Sequence, residues 1–131
     1  MVDTRQSPVE IVKAFLAAFA KMDFDTALQY VSDDCEYENP PPLGKVHGPA
    51  GVRGVLEPFF APTLENEFVL IRVVADGPVV FTERLDRHRL EKGWVELPVA
   101  GAMEVHGGRI TMWRDYFDMA TILNAWPAPA S

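Results

Sequence analysis

The sequence predicts an α+β protein: a curved, cone-shaped mixed β-sheet with helices packed across its concave face, in one domain over residues 1–131. Three observations predict this class. The length of 131 residues is that of one domain. Apolar residues recur at helical spacing in the first half of the chain, and the second half is built of long strand-like segments divided by turn residues. Helices followed by long strands, which must curve, favour a deep apolar pocket between the sheet and the helices.

Two helices are predicted at the start of the chain. The segment from Ser7 to Glu10 has the residues of a capping box, with a proline at the first helical position. The apolar spacing that follows predicts a helix to about Lys21. Asp23 or Asp25 can cap a second, shorter helix, which we expect to include Val31.

A short extended segment and a third helix come next. Residues 35–39 are predicted to be extended, and the prolines at 40–42 end this segment because proline cannot donate to a sheet ladder. Residues 42–45 are expected to form a loop. The third helix opens at residues 47–49 and ends irregularly near Pro58.

The second half predicts an antiparallel meander followed by a short helix. Turn residues at 76–77 and 107–108 separate extended segments. The predicted strands cover residues 66–75, 79–90, 94–105 and 109–117, and the last helix covers residues 119–126.

Composition excludes several classes of function. The net charge of −7 argues against a nucleic-acid or anionic-membrane binder, because both need basic patches. With a single cysteine, Cys35, no internal disulfide can form, and this residue is expected to be a buried small hydrophobe. The first seven residues are polar, and no apolar run is long enough for a membrane span. We therefore expect a cytoplasmic protein.

Motifs for metals and common cofactors are missing from the sequence. The three histidines, His47, His88 and His106, lack metal-ligand spacing. No glycine-rich phosphate loop and no serine nucleophile elbow is found. The sequence thus predicts no metal and no cofactor.

Charged residues interrupt the apolar pattern of two predicted strands. Side chains alternate across a strand, so Arg84 and Asp86 share one face. On the last strand Asp115 shares a face with Trp113 and Phe117. An unpaired buried carboxylate costs several kcal/mol. Arg84 is a suitable partner, since its planar fork can bind two carboxylates at once.

Tyr37 and Asn39 share a face of the short extended segment, where a phenol and an amide can hold a water molecule. Each of these patterns alone also has an ordinary explanation. Arg84 and Asp86 are compatible with a solvated strand face, and Asp115 with a structural ion pair. Tyr37 and Asn39 are compatible with a strand end entering a turn.

Three segments together resemble the catalytic segments of the limonene-1,2-epoxide hydrolase family. They are YENP at residues 37–40, TERLD at 82–86 and WRDYFD at 113–118. They occur in the family's order and at about its spacing, and the resemblance extends from the first helix to the last. It implies the cone-shaped fold of nuclear transport factor 2 and ketosteroid isomerase, also called cystatin-like or SnoaL-like, and a homodimer packed through the sheet.

The resemblance also implies roles for individual residues. Asp115 would be the general base, Asp86 the general acid and Arg84 the bridge between them, while Tyr37 and Asn39 would position the water. The positions that would line the substrate pocket are Leu97, Val99, Phe117 and His88. His88 departs from the family pattern, in which an apolar residue is expected, and this bears on substrate preference.

The implied reaction is the direct addition of water to an apolar epoxide, cyclic or terpene-like, to give a vicinal diol without a covalent intermediate. The partners would be the epoxide and water, with no nucleic acid and no membrane. Three alternatives stay open: an epoxide-opening cyclase, a ketosteroid-isomerase-like enzyme, and a non-catalytic binding module on the same fold. Arg84 between two acids fits the isomerase poorly, because it would weaken the base.

Overall fold

A computed structural model describes residues 6–127, so the ends of the domain expected over residues 1–131, namely 1–5 and 128–131, lie outside the described residues. The order of elements is helices first and a long meander second, as predicted. The elements are α1 (Pro8–Ala20), α2 (Phe24–Leu28), β1 (Val31–Asn39), β2 (Gly44–His47), α3 (Gly48–Phe60), β3 (Glu65–Asp76), β4 (Val79–Leu90), β5 (Gly93–His106), β6 (Arg109–Tyr116) and α4 (Met119–Ala125).

The helix starts agree with the predicted caps. The Ser7 hydroxyl accepts a hydrogen bond from the Glu10 amide at 3.2 Å, and the Glu10 carboxylate accepts one from the Ser7 amide at 3.0 Å. Asp23 caps α2 by accepting from the Thr26 amide at 3.2 Å. Helix α1 buries one apolar face, including Phe15, against the sheet. Each cap satisfies backbone donors that the first turn of a helix leaves free.

Two predictions for the first half are wrong. Val31 begins β1 rather than ending α2, because α2 stops at Leu28 and the β-branched Val31 pairs in parallel with Ile110 of β6. The predicted loop at residues 42–45 contains the start of β2. The prolines at 40–42 form the turn of a hairpin, and β2 then returns antiparallel along β1, with Asn39 opposite Gly44.

One mixed, six-stranded sheet has the strand order β2-β1-β6-β5-β4-β3. Strands β3 to β6 form the predicted antiparallel meander, and β1 runs parallel to β6. Strand β6 ends at Tyr116, one residue before the predicted end. The parallel pairing matters for the site, because it brings Tyr37 of β1 opposite Trp113 of β6.

The sheet buries the face that carries the charged residues. Alternate residues of β4 from Val80 to Leu90 are buried, whereas Phe81 and Glu83 on the other face are exposed. Helices α1 and α3 cover the buried face with aromatic side chains, and Cys35 is fully buried as predicted. No helix within residues 6–127 combines the length and the apolar character that crossing a membrane requires.

Candidate active site

A cavity of about 120 Å³ lies between the buried face of the sheet and helices α1, α3 and α4. Its walls are mainly aliphatic and aromatic, with a group of polar side chains from β1, β4 and β6. All nine residues selected from the sequence line it: Tyr37, Asn39, Arg84, Asp86, His88, Leu97, Val99, Asp115 and Phe117. An apolar cavity with a few convergent polar groups is the usual form of a small-molecule site.

Arg84 bridges the two aspartates. Its Nε donates to Asp86 Oδ1 and its Nη2 to Asp86 Oδ2, both at 3.0 Å. On the other edge of the guanidinium, Nη2 donates to Asp115 Oδ2 at 3.0 Å and Nη1 to Asp115 Oδ1 at 3.3 Å. Nη1 also donates to Thr82 Oγ1 at 3.3 Å. All five N–H donors of the guanidinium therefore have acceptors.

This pairing makes the buried charges tolerable. Arg84 is only 1% exposed, Asp86 5% and Asp115 7%, so the solvated strand face considered for Arg84 and Asp86 is wrong. Among the described residues, no buried side-chain nitrogen or oxygen lacks a hydrogen-bond partner. Burial by itself lowers the pKa of Arg84, but the two carboxylates outweigh it and raise that pKa above its ordinary value. The guanidinium is a permanent positive charge.

Asp86 can carry a proton near neutral pH. Burial raises the pKa of Asp86 to about 6, with Arg84 acting to lower it and Asp115 to raise it further. Arg84 contacts both carboxyl groups, so its positive charge lies between Asp86 and Asp115. The site therefore provides one readily protonated carboxyl group beside a second carboxylate.

Sequence reasoning missed three residues that hold this group together. Trp113, selected only as an apolar neighbour, donates its indole N–H to Asp115 Oδ1 at 2.9 Å. Thr82 accepts from Arg84. A Cβ atom added to Gly101 of β5 would lie 2.7 Å from Arg84 Nη1 and 2.8 Å from Asp115 Oδ1. The signal for Trp113 was available, since a buried indole N–H needs an acceptor, but nothing in the sequence pattern singles out Gly101.

Tyr37 and Asn39 lie beside the carboxylates on β1. Tyr37 stacks on Trp113 with ring centroids 3.9 Å apart and an angle of 16°. Burial, and then the charge of Asp115, raise the pKa of Tyr37, while a hydrogen bond with Asn39 acts in the opposite direction. Tyr37 therefore keeps its hydroxyl proton and can donate it. Asn39 is the last residue of β1 before the hairpin turn, as the ordinary explanation expects, and both residues are also buried and line the cavity.

The apolar part of the cavity is formed from other strands and helices. Leu97 and Val99 of β5 pack with Ile122 of α4 and with Phe117. His88 lies two residues beyond Asp86 on β4 and is 1% exposed. Within residues 6–127, no group of three or more His, Cys, Asp or Glu side chains is arranged to hold a metal ion.

The fold and the site together define a class: proteins that hold two carboxyl groups and an arginine in an apolar cavity between a curved sheet and its helices. Residues 6–128 match the family described as the limonene-1,2-epoxide hydrolase catalytic domain. The chain belongs to this family of epoxide hydrolases.

Individual relatives agree with this assignment. The epoxide hydrolase EphG of Mycobacterium tuberculosis is 38% identical over 108 residues, which are 82% of this chain and 71% of EphG. The structure of a limonene-epoxide-hydrolase-like epoxide hydrolase from M. tuberculosis has a TM-score of 0.76 and 35% identity, covering 89% of this chain and 86% of that one. A nuclear-transport-factor-2-like protein of unknown function from Burkholderia pseudomallei has a TM-score of 0.81 over 94% and 99% of the two chains; at 18% identity it shows the shared fold alone.

Proposed function

We propose that this protein adds water directly to a compact, apolar epoxide, cyclic or terpene-like, and releases a vicinal diol without a cofactor and without a covalent enzyme intermediate. The observation that carries the proposal is the guanidinium of Arg84 bound on both edges, to Asp86 and to Asp115, inside an apolar cavity. An epoxide is strained, so its opening needs only a placed nucleophile and a proton for the leaving oxygen.

Asp115 is the proposed general base. Water is a poor nucleophile at neutral pH. A carboxylate that accepts a proton from the water while the water attacks carbon raises the rate by about 10²–10⁴-fold. Trp113 and Arg84 fix the orientation of the carboxylate. Tyr37 and Asn39 line the same cavity as Asp115, and in this proposal they hold the attacking water, which lowers the entropic part of the barrier.

Asp86 is the proposed general acid. The C–O bond that breaks leaves an alkoxide, which is strongly basic, and a protonated Asp86 supplies its proton. Its pKa of about 6 leaves a useful protonated fraction near neutral pH. After one turnover Asp115 holds the proton of the water and Asp86 has lost its own. Transfer of one proton from Asp115 to Asp86, through water, restores the starting state.

Diol formation from cyclohexene oxide and limonene oxide, measured by gas chromatography, tests the reaction. We expect diol from the wild type and at least about a hundredfold less from Asp115→Asn, because the amide cannot accept the proton. Asp33→Asn, at an exposed position of β1, is the matched control and should retain activity. A single turnover in heavy-oxygen water should label only the diol; label in an aspartate side chain would indicate a covalent ester instead.

The same assays separate the alternatives. Cyclic ether rather than diol from an epoxide bearing an internal hydroxyl would indicate a cyclase. Binding of epoxides with no turnover, and no effect of Asp115→Asn, would indicate a binding module. Either result, with folding verified by circular dichroism, would contradict the proposed hydrolysis.

We also propose a homodimer packed through the outer face of the sheet. Apolar side chains are exposed there on β3 and β4: Ile71 at 52%, Val74 at 64% and Phe81 at 54%. Val74 lies directly opposite Phe81 in the strand pairing, so these two exposed side chains are neighbours. Such patches on soluble proteins commonly mark protein–protein contacts.

A further inference from the structure

His88 is a polar group in the apolar part of the cavity, outside the acid–base machinery. Its Nδ1 lies 2.6 Å from Asn66 Oδ1, and Asn66 Nδ2 lies 2.9 Å from Thr63 Oγ1. Thr63 Oγ1 in turn lies 2.7 Å from the backbone carbonyl oxygen of Phe60. All three side chains are buried, with His88 1% exposed, Asn66 6% and Thr63 5%.

This chain of hydrogen bonds fixes the tautomer of His88. The carbonyl of Phe60 can only accept, so the Thr63 hydroxyl donates to it; the Met22 thioether, 3.7 Å away, is a far weaker acceptor. Thr63 Oγ1 must then accept from the NH₂ group of Asn66, which turns the Asn66 carbonyl toward His88. An amide carbonyl can only accept, so the proton of the imidazole sits on Nδ1. Nε2 is left as a bare acceptor.

Nε2 faces the cavity. Within residues 6–127 no hydrogen bond or ion pair involves Nε2 of His88. In the described part of the chain, every fully buried side-chain nitrogen or oxygen has a hydrogen-bond partner. Nε2 has none, so this atom is accessible, and the space it borders is the cavity that His88 lines. Burial lowers the pKa of His88 to about 4, with Arg84 acting in the same direction, so the ring stays neutral and the lone pair stays available.

Aromatic rings hold the imidazole in one orientation. Phe59, Phe60, Phe68 and Trp126 surround it, with ring centroids 5.1 to 6.1 Å from that of His88. A neutral acceptor fixed among aromatic rings is a costly feature in an apolar pocket unless a ligand donor satisfies it.

We propose that the substrate carries a hydroxyl group on the part of the molecule remote from the epoxide, and that His88 Nε2 accepts a hydrogen bond from it. This inference rests on the proposed function, because it adds a specificity contact to the same cavity. Alternate residues of a strand lie roughly 7 Å apart. His88 is two residues from Asp86, so a hydroxyl bound at Nε2 would lie a few bonds away from an epoxide oxygen bound at Asp86.

A matched pair of substrates tests the inference: 4-(hydroxymethyl)cyclohexene oxide and 4-methylcyclohexene oxide, which differ by one oxygen. We expect the wild type to favour the hydroxymethyl compound by about tenfold or more in kcat/KM, the effect of one buried hydrogen bond. His88→Leu should lower this ratio by about tenfold or more. His106→Leu, the same change at an exposed histidine on β5, should leave the ratio as it is.

A second measurement uses the wild type alone, so it depends neither on turnover nor on the folding of a variant. Nitrogen NMR of the wild type with labelled histidine should show His88 protonated on Nδ1 and bare on Nε2. Cyclohexylmethanol, which has no epoxide, should shift the Nε2 resonance toward that of a hydrogen-bonded nitrogen, and methylcyclohexane should not. A proton on Nε2, or no shift at saturating alcohol, would overturn the inference.

The outcomes for the two proposals are distinct. Suppose that the wild type hydrolyses both epoxides and that His88→Leu changes the ratio of their kcat/KM values by less than about threefold. This result would refute the role of His88 and leave epoxide hydrolysis intact. If the wild type hydrolyses neither epoxide, the proposed function fails, and the NMR titration alone decides whether His88 binds a hydroxyl.

Discussion

Gly101 provides a sharp test of whether the Arg84 bridge is the centre of catalysis. Gly101 lies on β5, opposite Thr82 of β4 on one side and Asp115 of β6 on the other. The guanidinium of Arg84 must cross β5 to reach Asp115, and it does so over a position without a side chain. Changing Gly101→Ala adds a single methyl group beneath it.

The size of the effect follows from three distances. The added Cβ would lie 2.7 Å from Arg84 Nη1, 2.8 Å from Asp115 Oδ1 and 2.9 Å from Thr82 Oγ1, whereas ordinary contacts begin near 3.4 Å. The carboxylate must therefore move by about 0.6 Å (3.4 − 2.8) and the guanidinium by about 0.7 Å (3.4 − 2.7), unless the backbone of β5 shifts instead. Overpacking of this kind costs about 1–3 kcal/mol in stability. Because a displacement of about 1 Å can cost 10²-fold in rate, we expect kcat to fall by roughly 10- to 100-fold.

The assay is diol formation under saturating epoxide, with unfolding in urea measured in parallel. Gly54→Ala is the matched control: it is the same substitution at an exposed helix position with nothing within 4 Å of the added Cβ. It should keep full activity and gain up to about 1 kcal/mol in stability, since alanine favours helix. A Gly101→Ala variant with wild-type kcat would refute the reasoning, because the bridge could then shift without consequence.

Three further predictions concern the same site and the outer face. Asp86→Asn should alter the pH dependence of stability, because the folded pKa of Asp86, about 6, exceeds its ordinary value of 3.8. Asp86 therefore stabilises the fold below about pH 4, and this contribution, at most about 3 kcal/mol, is lost as the pH rises through 6. Urea unfolding from pH 4 to 7 should therefore show a flatter profile in the variant, and identical profiles would contradict the raised pKa. Trp113→Phe removes one donor to Asp115 and should lower kcat by about tenfold with little change in KM; a changed KM alone would place Trp113 in substrate binding instead. Phe81→Asp should convert the proposed dimer to a monomer in size-exclusion chromatography with light scattering, and a dimer that persists would exclude this face.

Strand periodicity predicted the meander and placed Arg84 and Asp86 on one face, because a residue period of two is a local property of the chain. It could not tell which face was buried. That depended on the helices, whose aromatic side chains cover the face that carries Arg84. Local pattern also missed β2, since an edge strand formed after three prolines depends on pairing with β1 rather than on its own residues.

The parallel pairing of β1 with β6 was likewise beyond local sequence signals, and it determines how the site is assembled. It brings Tyr37 against Trp113 and so carries Tyr37 and Asn39 to the carboxylates. Non-local pairing of this kind is invisible to residue periodicity. The three sequence segments were instead connected by their resemblance to one family, which supplied the pairing indirectly.

The geometry also explains why the bridge is an arginine. Asp86 and Asp115 lie on β4 and β6, two strand spacings apart, or roughly 10 Å. A side chain from β4 must cross β5 and still present donors to both carboxylates at once. A lysine could span part of this distance, but its single ammonium group could not form paired contacts with two carboxylates. The guanidinium can, provided that β5 has no side chain beneath it. The bridge between the two carboxyl groups therefore depends jointly on Arg84 and on the absence of a side chain at Gly101.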